Sequence, residues 1–198
     1  MKKIEILLRQ KMLDNIQKRR KVFPCTNARH KTRAHLAEFL GENNFNEGAE
    51  IGVKLGGNAK VLLQNNPNLL LHCIDPWNAY NKRNRQDRQQ RIYENCVENL
   101  KGYNVNIIRK TSMEALPEFK DRQLDFVYID GNHDFNFAMK DILFWPDKVK
   151  SGGLIMCHDF GCFTECGVMS AVIAYTHSHN IRCYVTYETL PTAYWINP

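Results

Sequence analysis

Nowhere does the 198-residue sequence run uninterrupted through the roughly 20 apolar residues that a bilayer-spanning helix needs, so no membrane protein of the helical kind is expected. Paired Cys-x-x-Cys units are missing too. The seven cysteines (Cys25, Cys73, Cys96, Cys157, Cys162, Cys166, Cys183) form an odd set, and several fall in apolar, strand-like runs where a free thiol behaves as a small hydrophobe. That argues against a secreted disulfide framework and for a reducing compartment, the cytoplasm. Cys157, His158, Cys162 and Cys166 lie close together, but at spacings poorly suited to structural zinc. The opening MKKIEILLRQKML starts charged, yet Arg9 and Lys11 break its apolar run and no small-residue cleavage site follows, so it does not read as a secretion signal. Internal repeats, low-complexity tracts and the dinucleotide fingerprint Gly-x-Gly-x-x-Gly are also absent.

Acidic residues are outnumbered, 21 against 27 basic, leaving a net charge of +6 concentrated in Lys2 to Arg33 and Lys82 to Arg91. Such an excess invites an acidic partner, nucleic acid among them. No RNA-binding motif or basic-zipper heptad accompanies it, and charge runs more often solvate helix faces.

What remains is a globular composition, 43% hydrophobic and 24% charged, in a chain long enough for one sizeable core. Ile4, Leu7, Leu8, Met12 and Ile16 recur at helical spacing, which predicts a basic amphipathic helix whose apolar face needs the domain body or a second subunit against it. A second helix is expected over Lys31 to Leu40, stopped at Gly41. Residues 1–47 thus read as an N-terminal helical extension and residues 48–198 as the main domain. There, short apolar runs (Ala49 to Val53, Leu69 to Ile74, Val105 to Ile108, Leu124 to Ile129, Gly153 to Cys157) alternate with helical stretches (Asn58 to Gln64, Gln86 to Leu100, Met113 to Phe119, Phe137 to Phe144, Val168 to His177). This is the pattern of an α/β fold: a doubly wound, mostly parallel, Rossmann-like sheet covered on both faces. Arg182 to Tyr187 and Ala193 to Ile196, joined through Leu190-Pro191, predict an antiparallel hairpin at the C-terminal edge.

The first predicted strand runs into Glu50-Ile51-Gly52-Val53-Lys54-Leu55-Gly56-Gly57. Glycines directly after a strand let the backbone turn tightly and approach a ligand at the switch point of a doubly wound sheet. Asp75 closes the second strand about 20 residues further on, where an acid can accept hydrogen bonds from the ribose hydroxyls of an adenosine ligand. Asp130 and Asp159 end the fourth and fifth strands, and two carboxylates converging there would suit a hard cation such as magnesium. His133 stands three residues after Asp130, able to take a proton at neutral pH or, more simply, to cap the next helix or orient Asp130. His158 precedes Asp159 and by strand alternation should point the other way.

Glu50-x-Gly52-x-x-x-Gly56, Ile74-Asp75-Pro76-Trp77, Leu124 to His133 with its Asp130-Gly131-Asn132-His133, and Lys150 to Phe160 together resemble the small class I S-adenosylmethionine-dependent methyltransferases. The resemblance covers about Gly48 to Ile196 and is nearest to a compact subgroup with an Asp-Gly-x-His motif, distantly similar to catechol O-methyltransferase and the macrolide sugar O-methyltransferases. It implies that Glu50, Gly52 and Gly56 frame the methionine end of S-adenosylmethionine, that Asp75 takes its ribose, that Trp77 lies beside the adenosine, and that Thr111, Ser112 and Met113 hold the adenine. It further implies that Asp130 serves donor and acceptor sides, that Asp130 and Asp159 hold a magnesium ion, and that His133 acts as base on the hydroxyl of a small molecule or sugar. The catechol-type enzymes carry an amide ligand after the second acid, where this sequence has Phe160.

Other readings stay open. A nucleic-acid or protein methyltransferase of the same fold would use the basic segments as its footprint, although the Asn-Pro-Pro-Tyr type motif of many base methylases is missing. A nucleotide-binding module without turnover would keep the fold but has no need of Glu50, Asp75, Asp130, His133 and Asp159 together. A nicotinamide dehydrogenase is opposed by the glycine spacing.

Overall fold

The computed structural model describes residues 32–79, 85–161 and 166–198. The predicted N-terminal amphipathic helix, with its expected role in pairing two subunits, lies outside the described residues, as does Cys162. Helix α1 (Arg33–Glu42) leads into strand β1 (Glu47–Ile51), followed by α2 (Gly57–Asn65), β2 (Leu70–Ile74), α3 (Gln86–Asn99) and β3 (Val105–Ile108). Then come the single turn α4 (Ser112–Ala115), β4 (Leu124–Ile129), α5 (Phe135–Phe144), β5 (Val149–Cys157), α6 (Val168–Ser178), β6 (Tyr184–Val185) and β7 (Ala193–Ile196).

The strands form one seven-stranded sheet in the order β3-β2-β1-β4-β5-β7-β6. All pairs from β3 to β5 are parallel, while β7 runs antiparallel to both β5 and β6. The doubly wound sheet with a C-terminal antiparallel hairpin is therefore present. Its inner arm, β7, is inserted between β5 and the short outer strand β6.

Alternation along the strands explains why the sheet needs helices on both faces. Ala49, Ile51, Val127, Ile129, Ile155 and Cys157 pack with Ala115, Ala138, Ile142, Ala171 and Val172 of α4, α5 and α6. Leu71, Cys73, Phe126, Tyr128, Leu154 and Met156 face the other way, onto Leu36, Leu40, Ala59, Leu62 and Cys96 of α1, α2 and α3. Each fully buried leucine or phenylalanine here contributes roughly 1.5–3 kcal/mol.

Some boundaries differ from expectation for physical reasons. Helix α1 continues past Gly41 to Glu42; the glycine is there for close packing and not as a stop, since a Cβ would sit 2.3 Å from the Asn65 carbonyl oxygen at the end of α2. The stretch expected as one helix to Phe119 is divided by Pro117 into α4 and a 3-10 turn at Leu116–Glu118. Of the run Arg182 to Tyr187, only Tyr184–Val185 pairs.

Candidate active site

Register brings the candidate residues to one rim. Ile51 stands opposite Ile74 and Ile129, Ile74 opposite Ile108, and Ile129 opposite Cys157, so β1 to β5 end level with one another. The ladder continues one step further, with Gly52 N–H donating to Ile74 O, Asp130 N–H to Ile51 O and His158 N–H to Ile129 O. Gly52, Asp75, Asp130 and His158 therefore surround the point between β1 and β4 where the winding reverses, the usual ligand crevice of such a sheet.

Gly52 adopts φ +86°, and a Cβ there would lie 2.1 Å from the Asp130 carbonyl oxygen. Only glycine fits. Lys54 and Trp77 also hold left-handed φ values, 53° and 43°, placing strained backbone just beyond β1 and β2. Asp75 joins the two turns: Oδ2 accepts the Lys54 N–H at 2.9 Å and Oδ1 the Trp77 N–H at 2.8 Å. Burial raises its pKa, while those backbone donors pull it back. Trp77 is almost wholly buried, edge-on to Tyr93, and its indole N–H donates to the Lys54 carbonyl at 2.9 Å. Glu50 is buried beneath the glycine turn, with Oε1 accepting from Asn58 at 3.0 Å and Oε2 without a partner. Burial pushes its pKa up to about 8, so it is largely protonated at neutral pH. After β3, Thr111 spends its hydroxyl on a reciprocal capping box with Glu114, leaving Ser112 and Met113 half-buried in the first turn of α4.

Across the switch point, Asp130, His133 and Asp159 converge, each offering one ligand atom within 4.8 Å of the others. His133 Nε2 lies 3.0 Å from Asp159 Oδ2 and 3.5 Å from Asp130 Oδ1. Sequence alternation turned His158 away from this group. The structure corrects that: β5 ends at Cys157, Asp159 takes φ 59°, and His158 Nδ1 comes within 3.4 Å of Asp130 Oδ1 and 3.3 Å of Asp159 Oδ1. These contacts attract without hydrogen-bond alignment, so His158 Nδ1 and Asp159 Oδ1 are both buried and unpartnered. Burial works against charge on His158, but the two carboxylates win and push it up to about 9. Asp130 holds His133 above its ordinary value, and although burial pushes Asp130 up, the two histidines leave it below the usual carboxylate range. His133 does not cap α5; Asp134 does, accepting the Asn136 N–H at 2.9 Å. The His133 carbonyl accepts the Gly167 N–H at 2.7 Å, tying the loop after β4 to the start of α6.

Residues 49–160 match a family profile described as a methyltransferase domain. The chain belongs to that methyltransferase family. It is of the S-adenosylmethionine-dependent class I type, and its fold is that of the O-methyltransferases. The O-methyltransferase NovP superposes with a TM-score of 0.61 at 18% identity, over 83% of this chain and 77% of NovP. TomG of Streptomyces achromogenes, an O-methyltransferase involved in tomaymycin synthesis and solved with S-adenosylmethionine, gives 0.60 at 13% identity over 84% and 80%. Spermidine synthase of Thermotoga maritima gives 0.55 at 16% identity over 85% of this chain and 58% of the synthase, so the fold alone does not choose an acceptor. A comparison with curated proteins finds no match in sequence.

The methyltransferase thus carries Glu50, Gly52, Gly56, Asp75 and Asp130 about the end of β1, with His133 and Asp159 gathered beside Asp130. Trp77 stands apart from them, because its side chain is packed into the core. Sequence reasoning passed over Asn58, whose amide holds Glu50, and turned His158 away from the acids it lies against. A polar residue at the start of the helix after a glycine turn was the available signal for Asn58. For His158 there was none, since the backbone reversal at Asp159 leaves no mark in composition. Among the described residues no helix is long and apolar enough to cross a membrane.

Proposed function

We propose that the chain transfers a methyl group to a hydroxyl of a small molecule or sugar, with Asp130, His133 and Asp159 readying that hydroxyl. The observation that carries this reading is the convergence of these side chains within 4.8 Å at the ends of neighbouring strands, immediately across the switch point from Asp75 and Gly52. S-adenosylmethionine, when bound, supplies a sulfonium methyl that leaves with the S–C electron pair staying on sulfur. Each Asp75 oxygen has accepted one backbone N–H and keeps a lone pair for a ribose hydroxyl. The lone Glu50 oxygen is a buried acceptor short of a donor, which suits the ammonium of the methionine end. Gly52 and Gly56 let the turn approach that end. Trp77 serves by propping the Lys54 turn, and Ser112 and Met113 border the adenine.

Two carboxylates and an imidazole fit a divalent cation, magnesium being the expected one, held by Asp130 and Asp159. Such an ion lowers the pKa of a hydroxyl that it ligates. Phe160 is buried in the core, so no amide ligand follows Asp159. His133 is part-exposed and can pass its proton to solvent before accepting the acceptor's proton; His158 steadies both acids from below. The buried thiols of Cys73, Cys96 and Cys157 suit a reducing, cytoplasmic setting.

The test is transfer of labelled methyl from S-adenosylmethionine into a panel of hydroxyl compounds, with and without chelator. Asp130→Asn and Asp159→Asn should abolish transfer. Asp159→Asn should also leave binding of S-adenosylhomocysteine intact. Binding of a nicotinamide cofactor in place of S-adenosylhomocysteine would overturn the donor assignment, and full activity in Asp159→Asn would overturn the acceptor site.

A further inference from the structure

We infer that Thr186, Glu188 and Thr192, in the loop joining β6 to β7, are positioning residues that hold Asp159 in place for the acceptor; this rests on the acceptor site proposed above. Antiparallel pairing sets Leu154 opposite Ile196 and Cys157 opposite Ala193, a register that, continued past the strand end, would bring Asp159 opposite Pro191. Instead it is the Phe160 N–H that donates to the Pro191 carbonyl, at 3.0 Å. One extra residue has entered on the β5 side, as in a β-bulge, and Asp159 stands there at φ 59°, a left-handed position that bulges ordinarily give to glycine. An acid in that conformation strains the backbone and persists only where its surroundings hold it. The bulge aims the carboxylate, with Oδ2 lying 3.0 Å from His133 Nε2 and Oδ1 3.3 Å from His158 Nδ1.

The hold comes from the β6–β7 loop. Gly161 lies so close to Pro191 that a Cβ on it would sit 2.9 Å from the proline ring. Thr192, next to Pro191 and fully buried, is bonded at both ends: its N–H donates to Thr186 Oγ1 at 2.8 Å, and its hydroxyl lies 3.2 Å from that of Tyr128, whose ring is 6.1 Å from the His158 ring. Thr186 Oγ1 accepts that bond and gives its own proton to Glu188 Oε1 at 3.0 Å. The same Glu188 oxygen accepts the Arg33 N–H at 2.9 Å. Arg33 opens α1, whose N-cap Thr32 makes no side-chain capping bond, so Glu188 satisfies that orphan donor from the far end of the chain. The loop is thereby clamped between the start of α1 and the top of β4, which fixes Pro191 against Phe160 and, through Phe160, the backbone of Asp159.

The experiment reads Asp159 in two ways, in the full chain and in Thr186→Val, Glu188→Ala and Glu188→Gln. The first is the strong amide-to-α-proton nuclear Overhauser contact that a left-handed residue gives, recorded on metal-free protein. The second is binding of manganese(II), followed by electron paramagnetic resonance, with calorimetric titration of S-adenosylhomocysteine alongside. Thr186→Val leaves the buried Thr192 N–H without its acceptor, so the left-handed signature should fade and manganese should bind roughly tenfold more weakly. Glu188→Ala should move both in the same direction by less, and because Glu188 is only half-buried it keeps the test alive if Thr186→Val does not fold. Glu188→Gln, which retains an oxygen for Arg33 and Thr186, should restore both. Affinity for S-adenosylhomocysteine should stay unchanged throughout, which a general loosening of the fold would not allow. A signature that persists in Thr186→Val and Glu188→Ala, a manganese affinity that holds while the signature is lost, or donor affinity falling in step with manganese would each overturn the inference. If the unaltered protein takes no manganese, the cation reading of the acid pair is what fails, and the Overhauser contact alone then decides whether the loop holds Asp159.

Discussion

Replacing Glu50 by glutamine separates the fold's interest from the ligand's. The carboxyl is buried with one oxygen unpartnered, and its pKa stands at about 8 instead of 4.5. The folded chain therefore holds a proton that the unfolded chain has released throughout that interval. Stability from this group is complete below about 4.5, falls by about 1.4 kcal/mol per pH unit, and levels off above about 8. Across the whole interval the loss is on the order of 5 kcal/mol, and most of it has accrued by pH 7. Glutamine cannot ionise and keeps an oxygen for Asn58. Urea midpoints of the two proteins, measured at half-unit steps from pH 5 to 9, should diverge steadily in favour of Glu50→Gln and run parallel above about 8; titrations elsewhere cancel in the difference. Saturation with S-adenosylhomocysteine should flatten the divergence, because a ligand ammonium restores the charged carboxylate. Parallel curves at every pH would refute the burial argument, and a divergence that ligand leaves untouched would refute the pairing with the ammonium.

Asp75→Ala should weaken S-adenosylhomocysteine roughly ten- to a hundredfold in calorimetry, since hydrogen bonds to a charged acceptor contribute about 1.5–3 kcal/mol. Gly52→Ala must place a Cβ 2.1 Å from the Asp130 oxygen, so at a cost of about 3 kcal/mol or more its melting temperature should fall by roughly 6–12 °C, and an unchanged melt would contradict the geometry. His133→Ala should lower turnover by roughly 10²- to 10⁴-fold while leaving S-adenosylhomocysteine binding in place, whereas a fully active variant would leave proximity alone to account for the rate.

Strand identity was legible in the sequence because β1, β2, β4 and β5 are buried on both faces and so appear as continuous apolar runs. Their ends were less so. Glu47 and Gly48 belong to β1 although neither is apolar, because pairing with Leu70 and Leu71 recruits them. β5 reaches back to Val149 through Ser151 and Gly152, where a register shift between Leu124 and Phe126 accommodates the extra residues. Asp130, Asp159 and His133 were legible as strand-end polar residues. The nearness of His158 to them was not, because the left-handed backbone at Asp159 turns that acid round to His158, which alternation places on the opposite side.

The strand order leaves little for a second chain to add to. Among the described residues the sheet's margins are β3, of four residues, and β6, of two, while the six-residue β4 and nine-residue β5 are hydrogen-bonded on both sides. An unfolded or partly folded neighbour seeking backbone partners would find only these short footholds, and Asn106 interrupts the apolar character of the longer one. By inserting β7 as a buffer between β5 and the outside, the hairpin keeps the longest of the described strands from becoming an edge, which is a safeguard against strand-to-strand aggregation.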